Sequence, residues 1–163
     1  KVMNLKSLLF CAMLVLTMSL NTVNAQAGAL DYLGHTIDGS ELTNEMESIG
    51  NYQSVARSTY LHQGFVRITN NGGGYVGIGA GTECNVTCGT VKLNVYLERS
   101  SGSEDFYSYK KWENVDYNTS SLYLNQQVKV EKGYYYRLRG YHSCTKNGVL
   151  ENGASRTDGI YIG

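Results

Sequence analysis

Proline is absent from the 163 residues. Its absence excludes the usual proline-containing wall-sorting signal, so an exported product is expected to be released or held by non-covalent contacts. Charge is also scarce, at 17% of residues, and no Lys/Arg run is longer than Lys110-Lys111. Such a chain has no electrostatic footprint for nucleic acid or for an anionic membrane. Long apolar runs are missing beyond the first 20 residues, and the one that exists, about 13 residues around Leu8 to Leu16, is short of the roughly 20 that span a bilayer.

That run sits between Lys6 and the small-residue exit Val23-Asn24-Ala25. A basic start, a short apolar centre and a small-residue end make a secretory signal peptide over residues 1–25. The expected location is therefore secreted and extracellular. Cleavage would remove Lys1 and Lys6 and no acid, leaving 12 basic against 14 acidic residues and a net charge of about −2.

Residues 26–54 scatter Leu30, Leu33, Ile37, Leu42, Met46 and Ile49 among polar residues and read as an arm or strap. Within it, Asp38-Gly39-Ser40-Glu41 suits either a capping box or an Asp-Gly turn. From Val55 to Gly163 the apolar period becomes two. Val91, Leu93, Val95 and Leu97 alternate with Lys92, Asn94, Tyr96 and Glu98, as in a strand with one face buried. The pattern recurs at Val66 and Ile68, at Val76, Ile78 and Ala80, at Leu122 to Val130, at Tyr134 to Leu138, and at Ile160 and Ile162. Glycine-rich turns separate these runs. About seven strands are expected, in an all-β antiparallel sandwich.

Gly133-Tyr134-Tyr135-Tyr136 followed by an alternating strand resembles the tyrosine corner of immunoglobulin- and fibronectin-type sandwiches, with Tyr136 as the corner residue. The pieces Val95-Tyr96-Leu97-Glu98-Arg99, Gly133 to Gly140 with His142, and Thr157-Asp158-Gly159-Ile160 together resemble an uncharacterised family of small secreted bacterial proteins. The likeness covers roughly residues 55–163. It implies export and a β-sandwich and carries no chemistry with it.

Three cysteines remain after cleavage, Cys84, Cys88 and Cys144, and an odd number leaves one thiol over. An immunoglobulin-like sheet implies that the strands from Val91 and Tyr134 are antiparallel neighbours, which would set Cys88 beside Cys144 as the disulfide. A Cys84 to Cys88 bridge is the rival, and a Cys84 to Cys144 bridge or reduced thiols stay open. With His142 the same cysteines form a set that zinc could accept. Extracellular redox conditions favour the disulfide, so no metal or other cofactor is expected.

No catalytic constellation is visible. Ser143 points away from His142 on the same strand, and Glu98, Glu104, Asp105, Glu113 and Asp116 read as hairpin solubility rather than a carboxylate pair. The glycines of Gly77-Ile78-Gly79-Ala80-Gly81 alternate on a strand, so an aromatic ring or a ligand is expected to lie directly on its backbone. Aromatics are plentiful: 14 tyrosines, three phenylalanines and one tryptophan. Tyr107, Tyr109, Trp112 and Tyr117 are the candidates for ligand contact, by stacking on a sugar or anchoring a protein interface. The expected function is a non-enzymatic extracellular module that binds a glycan or protein or acts structurally at the cell surface. A secreted antagonistic, toxin- or bacteriocin-like protein is the alternative, and a glycan hydrolase follows behind.

Overall fold

A computed structural model describes residues 41–53, 58–102 and 105–163. The proposed signal peptide, most of the strap and its Asp38-Gly39-Ser40 turn lie outside them. The described residues hold eight strands: β1 (Leu42–Thr43), β2 (Glu47–Gln53), β3 (Leu61–Asn70), β4 (Tyr75–Ser100), β5 (Tyr107–Lys129), β6 (Tyr134–Lys146), β7 (Val149–Arg156) and β8 (Gly159–Ile162). No helix occurs among the described residues.

The strands form one curled sheet in the order β1-β8-β6-β4-β3-β2, with β5 on β4 and β7 on β6. The runs at Val76 and at Val91, expected to be separate strands, belong to the single 26-residue β4. Likewise Tyr107 to Glu113 and Leu122 to Val128 lie on the single 23-residue β5. Every pairing is antiparallel except β1 with β8, where Leu42 stands beside Gly159. The strap therefore contributes both edge strands of the ordered path, since β2 pairs along β3 from Glu47↔Thr69 to Gln53↔Gln63.

The long β4 organises the fold. β5 follows one edge of it from Tyr75↔Lys129 to Arg99↔Tyr107. On the other edge β3 covers residues 76–84 and β6 covers 90–100. Between these halves the register with β5 slips, because Glu83 faces Ser121 while Cys88 already faces Thr119. The extra residues bend β4 at its middle, as bulges do. Two half-sheets then close on each other: Val66, Ile68, Val76, Ile78 and Ala80 from one half share a buried cluster with Leu93, Val95, Leu97, Leu138, Ile160 and Ile162 from the other.

Turn chemistry fits its position. Asn147 (φ 51°) and Gly148 (φ 76°) join β6 to β7 with two left-handed residues in succession, the geometry of a tight hairpin. Tyr136 is fully buried, and its hydroxyl donates to the Glu131 carbonyl oxygen at 2.9 Å, as expected of the corner residue.

Candidate functional site

The outer face of the β2-β3-β4-β5 half carries the most distinctive surface. Alternation places Gly77, Gly79 and Gly81 on it, opposite Thr69, Arg67 and Phe65 of β3 and Gln127, Asn125 and Tyr123 of β5. Over Gly81 the rings of Phe65 and Tyr123 close in, 6.4 Å apart, and a Cβ there would collide with both. Gly77 and Gly79 are left uncovered by aromatics. They floor an open groove of about 470 Å³ whose walls include Arg67, Thr69, Asn71, Asn125 and Gln127.

The aromatic covering expected for a glycine-lined strand is present at Gly81, whereas the Asn71 side chain lies against Gly77, and Gly79 faces the groove. Beyond Gly81, Glu83 ties β3 and β5 to β4. The Tyr123 hydroxyl donates to Glu83 Oε1 at 2.8 Å, and Gln63 Nε2 donates to Glu83 Oε2 at 2.7 Å. Arg67 is tied to Glu47 through both Nε and Nη2, which neutralises that wall. Asn125 and Gln127 are exposed. Their amides each offer donors and an acceptor to a polar guest.

The four aromatics singled out from the sequence do not form one patch. Tyr107 and Tyr117 are exposed, but eight residues of strand separate Tyr109 from Tyr117, roughly 26 Å. Tyr109 packs edge-on against Tyr136, with centroids 5.6 Å apart, under the Arg99 guanidinium. Trp112 is half-buried: it faces Val95 and packs against the main core, with Lys110 Nζ 5.5 Å from its ring. Trp112 is thus part of the core's margin and not a free surface ring.

The acids are similarly engaged. Glu98 is buried and bridges Arg137 Nε and Arg139 Nη2, each at 2.7 Å. Phe106 stacks under Arg137 with 4.0 Å from guanidinium to centroid. Glu113 faces solvent beside Lys111, and Glu104 lies outside the described residues. His142 is sealed in: Nδ1 meets Thr82 Oγ1 at 2.9 Å and Nε2 meets Ser155 Oγ at 2.7 Å. Burial pushes its pKa down to about 4, so the ring is neutral at pH 7.

The strand adjacency behind the cysteine pairing is present, with Val91 opposite Cys144. The disulfide itself is not formed in this structure, where no two sulfurs stand at bonding distance and those of Cys84, Cys88 and Cys144 lie within 4.8 Å of one another. His142 is not with them, because both its nitrogens are already bonded elsewhere.

A curled all-β domain with a polar, glycine-floored groove defines the class. A family model matches residues 32–159, and the chain belongs to that family, the family of unknown function DUF6147. No curated protein matches the sequence.

Proposed function

We propose that the protein is a secreted, non-enzymatic module that binds a glycan in the groove floored by Gly77 and Gly79. The observation that carries this reading is the groove itself, where bare backbone and side-chain amides meet beside an aromatic pair. Sugars present hydroxyls that donate and accept at once, which amide groups on the walls match, and apolar ring faces that stack on aromatics. Tyr123 and Tyr75, both exposed, stand at the two ends of the glycine row. The apolar run of residues 1–25 supports export, and the Tyr136 corner supports reading the closed half-sheets as a sandwich of immunoglobulin or fibronectin type.

A glycan array probed with the purified protein tests the proposal, followed by titration of any hit against Gly79→Val. A Cβ at Gly79 meets only ordinary contacts, Asn125 Oδ1 at 3.6 Å and Arg67 Cβ at 3.8 Å. The substitution should therefore leave the fold intact while filling the groove. Binding reduced at least roughly tenfold, about 1.4 kcal/mol, is the expected result. A hit whose affinity Gly79→Val leaves unchanged places the glycan elsewhere and ends this reading.

A further inference from the structure

The bend of β4 collects the three thiols. In a regular strand Cys84 and Cys88 would stand about 13 Å apart. The register slip between Glu83 and Cys88 folds them back so that both sulfurs meet Cys144 of β6. The arrangement is three-fold: each sulfur is near both others, which is more than any pairwise bond requires. Leu61, Val91, Tyr52, Tyr60 and Leu122 surround the sulfurs with an apolar shell, and Cys84, half-buried, leaves a way in from solvent.

We infer that Cys84, Cys88 and Cys144 form a binding site for one thiophilic d10 metal ion, of the copper(I) or zinc(II) class, clamping the corner where β4 passes from β3 to β6. Soft sulfur donors select such ions, and three sulfurs suit a three-coordinate ion or a tetrahedral one that takes its fourth ligand from solvent past Cys84. Each ligating sulfur releases its proton to solvent as the bond to the ion forms.

The surroundings favour a cation. Glu151 is opposite Cys144 in register and accepts hydrogen bonds from the Ser58 hydroxyl and from the backbone N–H groups of Thr59, Tyr60 and Leu61. Those bonds hold the 58–61 segment over the sulfurs and keep a carboxylate charge nearby.

The test titrates the reduced full chain under anaerobic conditions with copper(I) in one arm and zinc(II) in another. One ion per chain should bind in at least one arm, with ultraviolet thiolate-to-metal absorbance for copper(I), protection of all three thiols from alkylation and a raised Tm. Cys84→Ser, at a half-exposed position, should weaken uptake by at least the roughly tenfold that even outer-shell changes cause. Uptake in neither arm, or uptake unaffected by Cys84→Ser, overturns the proposal. So does peptide mapping of the untreated protein that finds Cys88 joined to Cys144. Alkylation protection in the unsubstituted chain decides the question even if the variant fails to fold.

Discussion

Replacing Tyr136 by phenylalanine removes only the hydroxyl that reaches the Glu131 carbonyl, a bond made from a fully buried ring. The expected loss is about 1–2 kcal/mol, whereas Tyr136→Ala, which also empties the ring's space, should cost about 3–5 kcal/mol. Trp112→Ala belongs between exposed and core positions, at about 2 kcal/mol, because its ring rests on the core margin. Urea unfolding of the three variants gives the order; a Trp112→Ala loss equal to Tyr136→Ala would move Trp112 fully into the core. Two titrating residues set the acid limit. His142 has a folded pKa of about 4 against an ordinary 6.5, so below pH 6.5 the unfolded chain takes up a proton that the folded one refuses. The share due to His142 should fall by about 3 kcal/mol between pH 6.5 and 4 and then level off. Burial alone would raise Glu151, but the Ser58 hydroxyl and three backbone N–H groups outweigh it and hold the carboxyl at about 2. Its contribution, present above pH 4.5, is lost as pH falls toward 2. Unfolding measured at pH 7, 5, 4 and 3 checks both windows, and a curve flat from pH 6.5 to 4.5 contradicts the His142 assignment.

Closure of the two half-sheets depends on glycines that face strands of the other half. A Cβ on Gly50 of β2 would overlap the Arg156 backbone of β7, one on Gly64 of β3 would enter the His142 ring, and one on Gly153 of β7 would enter Tyr52. Gly50→Ala meets backbone that has no rotamer to yield, so it should destabilise by about 3 kcal/mol or more. Gly79→Ala, in open surroundings, should stay within about 0.5 kcal/mol. Thermal unfolding of the pair tests whether closure or sheet propensity is the reason for glycine. Strand positions and the buried face were legible as alternation, and the Tyr136 corner as a local pattern. The bend in β4 left a trace as well: the buried residues are even-numbered at Val76, Ile78 and Ala80 and odd-numbered at Val91, Leu93, Val95 and Leu97. A change of parity within one strand requires an irregularity between. The groove was half legible, since the glycines of β4 announced a bare strand while its walls come from β3 and β5, whose register no local pattern states. The facing glycines were not legible at all, because each is explained by a neighbour distant in sequence.

At the scale of the molecule, the charged groups are arranged to hold strands together rather than to create a field. Glu98 joins β4 to β6, Glu47 joins β2 to β3, and Glu151 joins β7 to the segment before β3. A near-neutral surface of this kind creates little long-range field, and any recognition in the proposed groove would rest on shape and hydrogen bonding. Among the described residues no helix is long and apolar enough to cross a membrane. The parallel pairing of β1 with β8 has a consequence for the order of events during synthesis. The Glu41 amide, which reaches Asp158, lies 117 residues before its partner. A chain that emerges N-terminus first therefore presents β1 long before β8 exists, and β2 and β3 likewise wait for β6 and β7 to close over them. No growing chain can therefore close this sheet at its N-terminal edge, and β1 stays without its parallel partner until β8 has been made.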